Sequence, residues 1–201
     1  MTDENRSVDP VASPSIKPTA EAAPYPGIGE AVWVLVLVFV ATIAIQLLFS
    51  FFPSGVATVE LGITNLLSIG LVLFWRVRKE RLSVRDTFPI KGIRRAVFIA
   101  TVVSTIGLTI LLSEFDNLLQ TVLPAPEWLK QLFESLSNGN LSQVLFLLAL
   151  VAPLTEEFLF RGLILQGFLA RYSAPKAVFW SAFLFAAFHL NPWQFAGAFV
   201  L

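Results

Sequence analysis

The chain has 201 residues, of which 56% are apolar and only 14% are charged, and its mean hydropathy is +0.74. A soluble globular domain averages about 45–50% apolar and about 25% charged residues, so the excess apolar surface indicates a membrane protein. The formal net charge is zero, which gives no electrostatic reason to expect a nucleic-acid partner. The chain has no cysteine and one histidine, His189. These counts exclude disulfides, thiol nucleophiles and a His-rich metal site within the chain.

The first 30 residues differ from the rest in composition. They contain five prolines, five acidic residues and two basic residues, with no apolar run. Such a composition cannot bury enough apolar surface to offset the entropy of ordering, so residues 1–30 are predicted to be a disordered tail. The tail is also unlike a secretory signal, in which an apolar stretch directly follows a basic start.

Three apolar segments follow, at residues 31–52, 56–75 and 96–112. Each approaches the length of about 20 residues that a membrane-spanning helix needs. The stretch 76–95 between the second and third holds eight of the 14 Lys and Arg residues. The positive-inside rule places this loop in the cytoplasm, and therefore the N-terminal tail as well. We interpret the loop as a topology signal with lipid headgroup contact, rather than as a nucleic-acid site.

The C-terminal half predicts more helices. Residues 114–141 are more polar and are expected outside the membrane, with a short amphipathic helix at 126–136. Residues 142–172 are typical of one long helix and 177–190 of another, and a further apolar segment begins at Trp193. The predicted fold is an all-α polytopic transmembrane bundle with about five spans and the start of a sixth.

The long apolar helix at 142–172 contains three charges, at Glu156, Glu157 and Arg161. Each charge near a helix centre costs about 2.5–3.5 kcal/mol on insertion scales. The three must therefore be paired, hydrated or partly neutral, and intramembrane charges are functional candidates. Glu157 and Arg161 are four residues apart and share a helix face, which predicts an ion pair. Glu156 lies about 100° round the helix from Glu157, free to act as a general base.

Two other residues bear on this helix. Pro153 removes a hydrogen bond to the carbonyl of Ala149 and predicts a kink beside the charges. His189 lies about as far after the connection at 173–176 as Glu156 lies before it, roughly 20 Å by the helical rise. A helical hairpin thus brings the two to similar depth. The alternative is an interfacial histidine that merely precedes the anchor residues 191–193.

Glu156-Glu157-x-x-x-Arg161, followed by Phe185-x-x-x-His189 on the next helix, resembles the first two motifs of the CPBP (Abi) family. These are CAAX proteases and bacteriocin-processing membrane proteases, relatives of the type 2 CAAX prenyl endopeptidase. The resemblance covers about residues 142–201, so the chain is predicted to divide into the tail 1–30, N-terminal transmembrane helices 31–141 and motif-bearing helices 142–201.

The resemblance implies a role for each motif residue. Glu156 would activate water, Glu157 and Arg161 would support it, and His189 would be its partner. The resemblance leaves the cofactor open: none, or a divalent metal such as zinc, for which Glu156 and His189 would be the ligands. A third family motif, a second His with an Asn-like residue four positions on, is not found here. We therefore expect that the chain is truncated and that the 201-residue form has little or no peptidase activity.

By this resemblance the protein is expected to be an intramembrane endopeptidase that uses Glu-activated water. Its expected partners are the lipid bilayer and a membrane-associated, lipidated (CAAX-like) or bacteriocin-type peptide, and its expected location is a bacterial plasma membrane with a cytoplasmic N-terminus. Two alternatives stay open. One is a catalytically inactive immunity or scaffold protein, and the other is a transporter in which Glu156 relays an ion.

Overall fold

The computed structural model describes residues 24–90, 92–137 and 140–200, and within these ranges the chain is helical, with no strand. The described helices are α1 (Ile28–Phe51), α2 (Ala57–Lys79), α3 (Val84–Thr87), α4 (Arg95–Val122), α5 (Glu127–Ser137), α6 (Leu141–Arg171), α7 (Ala174–Phe188) and α8 (Pro192–Val200). The predicted all-α class is confirmed. The predicted disordered tail falls mostly on residues 1–23, which lie outside the described residues.

Four of the described helices, α1, α2, α4 and α6, are long and apolar enough to cross a membrane. The structure thus has four such helices where about five were predicted. The difference lies in α7, which has 15 residues and a length of about 22 Å, against a hydrocarbon core of about 30 Å. The nine residues of α8 return along α7, with ring centroids 5.7 Å apart for Phe179 and Phe199 and 5.9 Å apart for Phe183 and Phe195. The chain is an integral membrane protein whose fifth apolar helix turns back early.

The helix α4 continues ten residues beyond the C-terminal end of the apolar segment that predicted it, from the expected end at 112 to Val122. Four apolar residues continue the helical spacing i, i+3, i+4, i+7 beyond that point: Phe115, Leu118, Leu119 and Val122. That periodicity supports helix even where polar residues interrupt the apolar run. Glu114 and Asp116, expected in an outer loop, therefore lie on α4. The short amphipathic helix predicted at 126–136 is present as α5.

The buried core lies where α1, α2, α6 and α7 meet. Its most deeply buried members are Val34 and Val38 of α1, Ile69 of α2, Leu159, Leu163, Ile164 and Phe168 of α6, and Ala177 of α7. By contrast, α4 buries none of its residues in the described protein. The helix that carries the predicted site is therefore the centre of the packed core.

The start of α1 and the residues just before it contact the C-terminal end of α6. The backbone N–H of Ile28 donates to the Tyr172 hydroxyl at 3.3 Å, and the carboxylate of Glu30 pairs with Arg171 at 3.2 Å. Glu30 also accepts a hydrogen bond from the backbone N–H of Gly27 at 2.6 Å. This capping of the first turn explains why α1 begins at Ile28, three residues before the predicted start.

The same segment contacts α2 through Tyr25. Its hydroxyl accepts a hydrogen bond from Nε of Arg76 at 2.5 Å, and the guanidinium lies 4.7 Å from the centre of its ring. Burial raises the pKa of the Tyr25 phenol, while the adjacent Arg76 opposes that rise. The start of α1 and the C-terminal ends of α2 and α6 therefore lie together at one end of the bundle.

Glycine at position 167 is required by this packing. A Cβ there would overlap buried Pro26 and the backbone of Tyr25. We predict that Gly167→Ala lowers the free energy of unfolding by about 1–3 kcal/mol, because the segment at 25–26 must move. Gly70→Ala is the matched control, since nothing lies within 4 Å of its Cβ position, and it should be neutral or stabilising by up to about 1 kcal/mol. Thermal unfolding in detergent measures both, and equal effects would contradict this account.

Candidate active site

The backbone of α6 is irregular around the predicted site. Two π-helical stretches, Leu147–Val151 and Glu157–Ile164, flank a short α-helical segment at Ala152–Glu156 that contains Pro153. Proline has no N–H to donate, so the regular ladder cannot continue through it. π-helical turns are rare and often occur at functional sites. Glu156 lies at the last position before the second π-helical stretch.

The ion pair that the sequence spacing predicts between Glu157 and Arg161 is present in the structure. Arg161 donates from Nη1 to Oε1 of Glu157, and both side chains are about half exposed, at 52% and 50%. The positive guanidinium offsets the carboxylate, which lowers the cost of placing both on an apolar helix. Glu157 is therefore held by its partner, in contrast to Glu156.

Glu156 is half-buried and interacts electrostatically with His189 on α7 as well as with neighbouring Glu157. Sequence counting placed these two groups at similar depth, and in the structure they lie near enough for their charges to interact. The residue before Glu156, Thr155, is 7% exposed and faces α2. The polar contact of α6 with α2 therefore lies one residue before Glu156.

The imidazole of His189 is oriented by its own helix. His189 is the C-cap residue of α7, and its Nδ1 lies 2.9 Å from the carbonyl oxygen of Phe185. Because a carbonyl only accepts, Nδ1 carries the hydrogen, and Nε2 accepts a hydrogen bond in the neutral ring and donates one only in the protonated ring. The rings of Phe185 and His189 meet edge to face at 4.9 Å. The four-residue spacing in Phe-x-x-x-His therefore places the His189 imidazole at the backbone carbonyl of Phe185.

Phe160 of α6 joins the two motifs and was not singled out from the sequence. It is 3% exposed, and its ring lies 5.0 Å from that of Phe185 and 5.4 Å from that of Phe188. Both contacts are edge to face, a favourable arrangement of aromatic rings. Phe160 thus sets the distance between α6 and α7 next to His189. Because the chain has 19 phenylalanines, its sequence alone gives no reason to single out Phe160.

The turn after His189 explains why α7 is short. Leu190 has a φ of +49°, in the left-handed region that L residues with a side chain avoid, at a cost of about 1–2 kcal/mol per residue. Its N–H donates to the carbonyl of Ala187 at 3.1 Å, and Pro192 begins α8. A left-handed residue closes a helix by satisfying its last carbonyls. His189 is thereby held at a helix end, near Glu156, and not within a continuous span.

Gly162, which directly follows Arg161, has a packing role. A Cβ at this position would overlap the ring of Phe88, which also meets Phe158 edge to face at 5.4 Å. Phe88 and buried Thr87 belong to the basic stretch 76–95, which sequence reasoning assigned only to topology. This stretch also covers the second π-helical part of α6.

The donor set at the site can be compared with that of a metal centre. Among the described residues, no group of three or more His, Cys, Asp or Glu side chains is arranged to hold a metal ion. Glu156 and His189 supply two donors, Glu157 is engaged by Arg161, and catalytic zinc sites use three protein ligands. These residues by themselves do not fit a zinc site, and the mechanism below uses side chains of the chain alone.

Comparison with known proteins supports the family that the motifs resemble. Residues 138–201 match a family model described as type II CAAX prenyl endopeptidase Rce1-like. The match spans 64 of the 201 residues, and this segment is similar to that family. The segment includes Glu156, Glu157, Arg161 and His189, and its similarity indicates a protease. No curated protein and no solved structure matches the chain.

Proposed function

We propose that the protein is an intramembrane endopeptidase that hydrolyses a peptide bond in lipidated, CAAX-like substrates through water activated by Glu156. The observation that carries this proposal is the proximity of Glu156 on α6 to His189 on α7, within the segment that is similar to the Rce1-like family. A carboxylate and an imidazole are the groups most used to move protons in hydrolysis. A purely structural ion cluster would be satisfied by the Glu157–Arg161 pair alone.

In the proposed reaction, the Glu156 carboxylate takes a proton from water and the resulting hydroxide attacks the scissile carbonyl carbon. The protonated form of His189 donates from Nε2 to the developing oxyanion, while its Nδ1–H stays on the Phe185 carbonyl. When the tetrahedral intermediate collapses, the carbon–nitrogen bond breaks and Glu156 returns its proton to the leaving amine. The products are a carboxylic acid and an amine, which together contain the atoms of the peptide and of one water, so no co-reactant is needed.

The position of His189 at the end of α7 favours this role. The carbonyl oxygen of Phe185 lies 2.9 Å from its Nδ1 and the ring of Phe185 meets its ring edge to face, so the orientation of the imidazole is fixed before a substrate binds.

We further propose that the N-terminus and the basic stretch 76–95 face the cytoplasm. The structure supports this orientation by grouping Tyr25, Arg76 and Arg171 at one end of the bundle, where positive charges are concentrated. Lys176, at the start of α7, lies 4.7 Å from the ring of Tyr172 at this same end.

The direct test is a cleavage assay with the protein expressed from its complete reading frame and reconstituted in liposomes. Three substrates separate the substrate classes: a farnesylated CAAX peptide, the same peptide without the lipid, and a bacteriocin-type precursor. Mass spectrometry identifies any bond that is cut. We expect cleavage of the farnesylated peptide at one bond and little cleavage of the others. Folded protein that cleaves none of them would instead favour the scaffold or transporter alternatives.

A further inference from the structure

A buried polar contact joins α2 to α6 directly beside Glu156. The hydroxyl of Thr155, which is 7% exposed, makes a short hydrogen bond with the side-chain amide of Asn65. It also lies 3.0 Å from the carbonyl oxygen of Val151 and 2.9 Å from that of Ala152. One hydroxyl therefore connects a neighbouring helix to the backbone of α6.

The Thr155 hydroxyl has three acceptors within reach. It donates to the side-chain oxygen Oδ1 of Asn65, and the carbonyls of Val151 and Ala152 share the same hydrogen. A half-turn of the Asn65 amide would present its NH2 group to the Thr155 oxygen and leave the hydroxyl hydrogen to the two carbonyls. In either orientation of the amide, Thr155 joins Asn65 to the backbone of α6.

The contact occurs where α6 is least regular. Val151 ends the first π-helical stretch, Pro153 cannot donate, and Glu156 precedes the second π-helical stretch. A hydroxyl that bonds back to the carbonyl four residues earlier bends a helix locally. In a bilayer, an irregular backbone persists only where other groups satisfy its polar atoms. Asn65 and Thr155 supply such polar groups to the backbone of α6 next to Glu156.

The helix α2, which carries Asn65, is held to α1 by a hydrogen bond. Thr64, which is 2% exposed, accepts a hydrogen bond from Nε2 of Gln46 on α1 at 3.1 Å. Ser68, at 1% exposed, donates to the backbone carbonyl of Asn65 at 3.3 Å. This buried polar row on α2 ties α1, α2 and α6 together, so Asn65 is a firm support.

We propose that Asn65 is a positioning residue, which acts through Thr155 to hold the segment Ala152–Glu156 so that the Glu156 carboxylate faces His189. Its importance for turnover rests on the proposed function, whereas its effect on geometry does not. Displacement of a reacting group by about 1 Å can cost about 10²-fold in rate. Loss of Asn65 should therefore reduce turnover without weakening substrate binding.

The kinetic test compares four variants with the parent protein in liposomes. Asn65→Leu and Thr155→Val remove the bond with little change in volume, and we expect kcat to fall about 10- to 100-fold with KM within about twofold. Thr155→Ser keeps the hydroxyl and should retain near-parent kcat. Thr58→Val removes the hydrogen bond that the Thr58 hydroxyl donates to the side-chain oxygen of Gln143 at 3.2 Å, which also joins α2 to α6 but lies away from Glu156, and it serves as the matched control.

A spectroscopic test does not depend on activity. Because the chain has no cysteine, spin labels attached through Glu156→Cys and His189→Cys report one distance by dipolar broadening of the electron paramagnetic resonance spectrum, which is sensitive to short separations. Added Asn65→Leu or Thr155→Val should change that broadening, whereas added Thr155→Ser or Thr58→Val should not.

The outcomes are distinguishable. An unchanged distance with Asn65→Leu and Thr155→Val overturns the positioning role, as does an equal change with Thr58→Val. If the parent protein lacks peptidase activity but the distance responds as expected, the proposed function fails and the positioning role stands. If peptidase activity is present and only the two disruptive variants lose kcat and change the dipolar broadening, both are supported.

Discussion

Replacement of Glu156 by glutamine is expected to lower kcat for peptide hydrolysis by about 10²–10⁴-fold, the range that a positioned general base contributes. The amide is close in size to the carboxylate but cannot take a proton from water. Since Glu156 lies beside His189 rather than in an ion pair with Arg161, the substitution removes the base and leaves the Glu157–Arg161 pair in place. Initial rates on the farnesylated peptide in liposomes measure the effect.

Two matched variants show whether the effect belongs to this position. Glu114→Gln makes the same chemical change on exposed α4 and should leave kcat near the parent value. Glu157→Gln disturbs the supporting pair and should give a smaller loss than Glu156→Gln. If Glu156→Gln cleaved at the parent rate, the proposed mechanism would be wrong.

The second largest effect is expected from His189→Ala, with a fall in kcat of about 10²–10³-fold, as for the loss of one oxyanion donor. The imidazole is held for this task by its Nδ1 contact to the Phe185 carbonyl. The loss should appear in kcat more than in KM, because the oxyanion develops only in the transition state.

A control for this variant is Gln194→Ala, an exposed change in the first turn of α8, which should not alter kcat. Thermal unfolding in detergent checks that His189→Ala is folded. A folded His189→Ala variant with the parent rate would support the interfacial-histidine alternative instead.

Local patterns in the sequence were sufficient for much of the site. The ion pair between Glu157 and Arg161 follows from a spacing of four on one helix. The similar depth expected for Glu156 and His189 follows from nearly equal counts on either side of a short connection. Both relationships depend on helical geometry, which the sequence carries directly, whereas the facing of Glu156 and His189 depends on how α6 and α7 pack.

Contacts between distant residues could not be predicted in this way. Asn65 and Thr155 are 90 positions apart, and Phe88 reaches Gly162 across the core. No periodic pattern specifies which residue of one helix meets which residue of another. The early end of α7 also depends on a local backbone state, the left-handed Leu190, which an apolar run does not reveal.

The sequence by itself determined that this is an all-α membrane protein with charged residues in an apolar helix, because hydropathy and helical spacing are properties of the chain. It also determined the motif residues Glu156, Glu157, Arg161 and His189. The tertiary structure alone decided how these residues are held: by Phe160 between α6 and α7, by Phe88 on Gly162, and by Asn65 on Thr155. The physical reason is that buried polar groups and close-packed rings need partners in three dimensions, and partners from other helices exist only once the bundle has formed.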